Sequence, residues 1–267
     1  MKHSQKFCAI GYDNKQQAQV CFRYFPEKWG LLALQTKHWK LGRLAELNDP
    51  FDCQPVLNNV PPGVDAGHFT TQYLKKFNSR LGILCYCSKI NDPVMWTHYA
   101  ENHCGMALAF SYKGSDNLDT LFEVKYDDER PALNYQTLED LSAKDDTGDF
   151  HNVIQNGFTR KGKRWEYESE YRHFLWLDKV TSILADGVSM IGSHYFKGIS
   201  LRDFSGVVLG ARCSITEFDI KRIYAEHNYH SDRDRVRLDW PVDDIRVCRA
   251  KMNPAAVTMD VDWPTGL

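Results

Sequence analysis

Three short apolar runs limit what this chain can become. Residues 82–88 (GILCYCS), 105–110 (GMALAF) and 206–210 (GVVLG) are continuous in apolar character rather than alternating. Each is shorter than the roughly 10–12 residues a buried helix needs, so each reads as a strand covered on both faces. More β-prone segments lie around them, at 20–25 (ended by Pro26), 38–41, 122–126, 165–177 and 244–250. Helical signals fall between. Phe69, Tyr73 and Phe77 recur at i, i+4, i+8 and predict a helix over 69–79; 28–35 and 94–102 read as shorter ones. Further helices are expected near 135–143 and 150–160. Ser214 and Glu217 match a capping box, which predicts a helix over 215–227.

Strands adjoin in some places and are split by helices in others, which points to α+β rather than a doubly wound sheet. The expected architecture is a mixed, largely antiparallel sheet with several short helices in a single compact domain. That domain spans 20–252, with a lead-in at 1–19 and a tail at 253–267. With 267 residues, 43% hydrophobic and 25% charged, the chain can bury a large core without disulfides. Lysine and arginine (33) nearly balance aspartate and glutamate (35), so no broad nucleic-acid surface is expected. No run of 18 apolar residues and no signal-peptide core is present, so neither is a membrane partner. The eight cysteines form no C-x-x-C pair and read as reduced, buried thiols in a cytoplasmic protein.

Three polar clusters carry possible chemistry. In Asn48-Asp49-Pro50-Phe51-Asp52-Cys53, a turn with Phe51 as a core plug is one reading. The other makes Asp49 and Asp52 metal ligands, or groups that orient a catalytic side chain. The second cluster runs from Trp96 to His103. As a helix it pairs His98 with Asn102 and Tyr99 with His103 at i, i+4. Trp96, His98 and Tyr99 are large side chains with polar handles, suited to a pocket wall. His98 reads as a general acid/base, a ligand donor or a satisfied core histidine. The third cluster is Trp165-Glu166-Tyr167-Glu168-Ser169-Glu170-Tyr171-Arg172. As a strand it places Glu166, Glu168, Glu170 and Arg172 on one face. That face is either solvated or the wall of a cleft in which crowding raises one carboxyl pKa. The basic run 160–164 reads as a solvated loop. No P-loop, dinucleotide fingerprint, G-x-S-x-G or H-E-x-x-H is present.

Taken in order, Phe22-Arg23-Tyr24, NDPFDC (48–53), W-x-H-Y-A (96–100), His103 with Gly105, W-x-Y-E-x-E-Y-R (165–172) and the strand ending at Gly210 resemble a bacterial family known as domain of unknown function 2971. The departure is Phe25, where that family often has arginine after its tyrosine. The resemblance implies a defence or toxin-like role by association. An enzyme of ADP-ribosyltransferase type acting on NAD is the first functional reading. That class is similar in having an early-strand arginine, a central Ser or His-Tyr and a later Glu-x-Glu. Glu170 would stabilise the oxocarbenium-like state, Glu168 would orient the acceptor, and His98 and Tyr99 would hold ribose or nicotinamide. Arg23 would take a phosphate. Asp49, Asp52, Trp96, His103 and Arg172 complete the candidate binding set. No tightly bound cofactor or metal is expected, NAD being a substrate and a small molecule or protein the acceptor. A metal-dependent nuclease or hydrolase using Asp49, Asp52, Glu168, Glu170 and His98 is the second reading. A non-catalytic sensor or partner-binding domain is the third.

Overall fold

The computed structural model describes residues 12–13, 18–113, 121–144, 153–177, 188–191, 193–199, 204–229 and 245–263. The first half contains β1 (Tyr12–Asp13), β2 (Ala18–Phe25), α1 (Glu27–Thr36), β3 (His38–Lys40), β4 (Val56–Asn58), α2 (Ala66–Arg80), β5 (Leu81–Cys87), α3 (Pro93–Tyr99) and β6 (Met106–Lys113). Next come β7 (Phe122–Glu123), β8 (Lys125–Tyr126), β9 (Ala132–Asn134), α4 (Tyr135–Lys144), β10 (Arg160–Lys161) and β11 (Glu170–Trp176). The last part holds β12 (Val188–Ile191), β13 (His194–Gly198), β14 (Phe204–Leu209), α5 (Glu217–Tyr229), β15 (Arg246–Arg249), β16 (Lys251–Met252) and β17 (Met259–Asp260). The fold is α+β, as the mixed order of segments predicts.

The main sheet has the order β15-β14-β6-β2-β5-β11-β7, with β1 beside β2. Its neighbours are antiparallel except the β14–β15 pair. The apolar runs are continuous because the sheet is covered on both sides. Cys21, Met106, Leu108, Phe110, Val207 and Leu209 face the core formed with α1 and α5. Val20, Phe22, Tyr24, Ala107, Ala109 and Val208 face the opposite core, where Trp96 of α3 is fully buried. The alanines make room for the indole, whose Nε1 donates to the Ile90 carbonyl at 2.7 Å. A third core packs Tyr73 and Phe77 of α2 on Ile83 and Phe158.

One seam of the sheet is open. β2 pairs with β6 over eight positions and β5 with β11 over seven. Between β2 and β5 a single register pair remains, Phe22 opposite Cys87.

Several boundaries differ from the sequence expectation. The helix expected over 94–102 stops at Tyr99, because Glu101, Asn102 and His103 take positive φ of 52°, 52° and 70°. Asn102 and His103 therefore do not share a helical face with His98 and Tyr99. This left-handed turn brings the His103 N–H to the Trp96 carbonyl and delivers Gly105 tightly against β2. The segment 122–126 is two strands, since Phe122 and Glu123 pair with β11 whereas Lys125 and Tyr126 turn to β10, the Lys125 N–H donating to the Thr159 carbonyl. Of the helix expected over 150–160, Ile154–Phe158 forms one wide helical turn, and 150–152 lie outside the described residues. The capping box of α5 sits two residues later than expected. Thr216 and Asp219 bond each other's backbone N–H, while the Ser214 hydroxyl donates to Glu27 at 2.8 Å.

A Cβ on Gly105 would fall within the Phe25 carbonyl oxygen, a backbone atom that cannot yield without moving β2. Gly105→Ala is expected to lose at least about 1–3 kcal/mol of stability, read from the urea midpoint at constant m-value.

Candidate functional site

The site begins with a turn. The Phe51 N–H donates to Asp49 Oδ1 at 3.0 Å, and the Asp52 N–H donates to the Asp49 carbonyl at 3.0 Å. This Asx turn aims Asp52 into the protein and Phe51 out. Phe51 is 70% exposed, which corrects its reading as a core plug. Asp52 meets Arg172, whose guanidinium is fully buried. The pair is bidentate, Nη1 to Oδ1 at 2.8 Å and Nη2 to Oδ2 at 2.5 Å. Arg172 also forks onto Glu170, Nε to Oε1 at 2.8 Å and Nη2 to Oε2 at 2.9 Å, and donates to the Phe158 carbonyl at 2.8 Å. Glu170 and Arg172 reach the same side because they are i, i+2 on β11.

Glu168 arrives by a different route. The segment expected to run as strand from Trp165 is a 3₁₀ turn over Lys163–Glu168, and β11 starts only at Glu170. Ser169, at φ 43° and ψ 52°, joins the two. Three carboxylates along one strand face would repel. The turn relieves this by sending Glu166 to solvent and bringing Glu168 and Glu170 inward from separate elements.

The cation between them comes from the basic run, which is therefore not a solvated loop throughout. Lys163 and Arg164 are exposed, but Lys161 is buried. Its Nζ lies 2.5 Å from Glu168, 3.7 Å from Glu170 and 3.8 Å from Asp52. It also sits 4.5 Å from the Trp165 ring centroid. The parallel β8–β10 pair and the Asp127 N–H on the Lys161 carbonyl fix its backbone. The other Glu168 oxygen accepts from Tyr99 at 2.5 Å, and Tyr99 accepts from Asn48 at 2.5 Å.

The electrostatics separate the two glutamates. Burial pushes the Glu168 carboxyl up, against the pull of Lys161, with Glu170 adding to the rise. Burial acts on Glu170 too, but the Arg172 fork and Lys161 outweigh it and hold that carboxyl below its ordinary range. Burial disfavours the Lys161 ammonium, yet Glu170 and Glu168 hold its pKa above the ordinary value. Burial, reinforced by Glu168, raises the Tyr99 hydroxyl, which stays protonated. Fully ionised, Asp52, Glu168 and Glu170 exceed Lys161 and Arg172 by one negative charge. The raised Glu168 is the carboxyl of the three that takes up a proton most readily.

A cleft of about 280 Å³ opens over this cluster at the β2–β5 seam. Arg23, Tyr99, Lys161, Glu168, Glu170 and Arg172 are among the residues that line it. The Arg23 Nη2 donates to the Lys40 carbonyl at 3.1 Å, and its guanidinium lies over the Phe25 and Trp39 rings. Asp52 lies beneath the cleft, reaching it through Arg172. The remaining candidates are elsewhere. Asp49 forms the turn, and Trp96 is core. His98 is on the exposed side of α3, 3.2 Å from the Tyr167 hydroxyl. His103 stacks on Trp96, with Nε2 at 3.3 Å from the Thr97 hydroxyl. Burial, aided by Arg212, lowers its pKa.

Among the described residues no group of three or more His, Cys, Asp or Glu is disposed to hold a metal. None of their helices is long and apolar enough to cross a membrane. Residues 95–173 match the model of a family described as Protein of unknown function (DUF2971), in keeping with the motif resemblance. That stretch carries Tyr99, Lys161, Glu168, Glu170 and Arg172, while Arg23 and Asp52 lie before it. No curated protein and no solved structure matches the chain.

Proposed function

We propose that the cleft at the β2–β5 seam is the active site of an NAD-cleaving enzyme of ADP-ribosyltransferase type. The observation that carries this reading is the convergence of Arg23, Glu168 and Glu170 on one cleft. A purely structural network of buried charges would need no adjoining cavity. The volume, close to the lower end of the roughly 300–1,000 Å³ typical of ligand pockets, suits the nicotinamide–ribose end of the dinucleotide.

The bond that breaks joins ribose C1′ to the nicotinamide nitrogen. Its electron pair leaves with the ring, which departs neutral, and positive charge develops on the sugar. Glu170, kept ionised by Arg172, supplies a fixed negative charge to that state. Glu168, whose raised pKa suits acid/base work, takes the proton of the acceptor as its oxygen bonds C1′. Tyr99 and Lys161 hold Glu168, and Arg23, on the cleft wall, would meet the diphosphate. His98 receives no role in this scheme because it lies outside the cleft.

The metal-hydrolase reading is weaker on the same geometry. Lys161 already occupies the point between the three carboxylates where a cation would sit. The test is nicotinamide release from NAD by the purified protein in the presence of a chelator. Release that disappears in Glu168→Gln supports the assignment. No release from wild type with water, small-molecule or protein acceptors overturns it.

A further inference from the structure

We propose that Lys161 is a positioning residue that keeps Glu168 available as a proton acceptor by holding a positive charge between the two glutamates. The geometry is specific. Lys161 is the one cation near Glu168 among the described contacts, and it is 2.5 Å away. Arg172 is fully occupied by Asp52, Glu170 and the Phe158 carbonyl. Lys161 is also held on its other sides: its backbone by β8, and its ammonium by the Trp165 ring.

The titratable groups that face Glu168 are Lys161 from β10, Tyr99 from α3, Glu170 from β11, Tyr126 from β8, Cys87 from β5 and Tyr167 from its own turn. Burial holds the thiol and the three phenols above their ordinary values, so they remain neutral around neutrality. Glu170 is negative and works against ionisation of Glu168. Lys161 is what offsets it. With the ammonium removed, Glu168 keeps its proton to higher pH and can no longer accept one from the incoming nucleophile. Glu170 stays ionised through Arg172.

The importance of this for catalysis rests on the NAD-cleaving reading, but the charge assignment is measurable without it. Carbon-13 NMR of the glutamate carboxyls, with Glu168 identified by its loss in Glu168→Gln, gives each ionisation directly. In Lys161→Met, the Glu168 midpoint is expected to move up by about 1–3 pH units, and Lys161→Arg should reverse most of that move. The acid limb of nicotinamide release should shift by the same amount in the same direction. Should Lys161→Met fail to fold, the reciprocal experiment remains. The Lys161 ammonium should lose its proton at lower pH in Glu168→Gln than in wild type. An unmoved Glu168 midpoint, or an unmoved Lys161 in Glu168→Gln, overturns the proposal. Shifted midpoints in a protein that releases no nicotinamide would leave Lys161 in place and remove only the NAD reading.

Discussion

Arg172→Leu is expected to lose about 3–5 kcal/mol of folding free energy, a large part of the roughly 5–15 kcal/mol that a domain has. The guanidinium is fully buried and makes five donor contacts to Asp52, Glu170 and the Phe158 carbonyl. Removing it leaves two buried carboxylates whose remaining cation among the described residues, Lys161, is 3.7–3.8 Å away and already committed to Glu168. Arg172→Lys should recover only part of the loss, since an ammonium cannot fork onto two carboxylates at once. Urea unfolding of the three proteins checks this; equal midpoints would mean the cluster contributes nothing net. The pH dependence follows with opposite signs for the two glutamates. The Glu170 carboxyl is depressed in the fold, so its contribution is present above the ordinary carboxylate pKa and is lost as pH falls through the lowered one. Glu168 is raised, so its contribution is present below the ordinary pKa and is lost as pH rises through the raised one.

The second large effect is on activity. Glu170→Gln should reduce nicotinamide release by about 10²–10³-fold, the scale seen when one preorganised electrostatic partner of a transition state is removed. The amide keeps the shape but discards the charge, and it turns one acceptor of the Arg172 fork into a donor. Some loss of stability therefore accompanies the change, and turnover must be measured well below the midpoint of the mutant's own melt. Glu166→Gln, on the exposed side of the same segment, is the control and should leave both quantities unchanged. Turnover in Glu170→Gln within a few-fold of wild type would remove Glu170 from the chemistry.

Much of the sheet is legible in the sequence because burial on both faces writes itself as unbroken apolar runs. The helix with aromatics at every fourth residue is legible for a different reason, its one buried face. The site is only half legible. Arg23, Tyr99, Glu168, Glu170 and Arg172 stand out as polar groups among aromatics, and they do line one cleft. His98 stands out equally, yet it faces solvent, since residues two apart on a helix point to opposite sides and Trp96 takes the buried one. Lys161 is hidden in a run of basic residues that looks solvated, and nothing local distinguishes it from Lys163. One signal was available. Asp52, Glu168 and Glu170, if buried together, need more positive charge than Arg172 supplies, and the nearest cations upstream of Trp165 are those of residues 160–164. The 3₁₀ turn is hidden because alternation of aromatic and acidic residues over 165–171 has the same appearance as a strand. Only the repulsion among its carboxylates argues against one.

Ser169 deserves to be seen as a spacer whose length matters more than its chemistry. It sits in left-handed backbone, and its carbonyl is gripped by both the N–H and the hydroxyl of Ser88. On one side of it the chain advances as a tight helix, on the other as a strand. Two glutamates that are near neighbours in the chain are thereby carried by two independent pieces of scaffold. Their relation is consequently acutely sensitive to length. Adding or deleting one residue between Glu168 and Glu170 would swing one carboxylate out of the cluster while β11 could still pair along β5. In lineages that diverge freely at the surface, this is a place where gaps in the reading frame of the structure should be the last change to be tolerated.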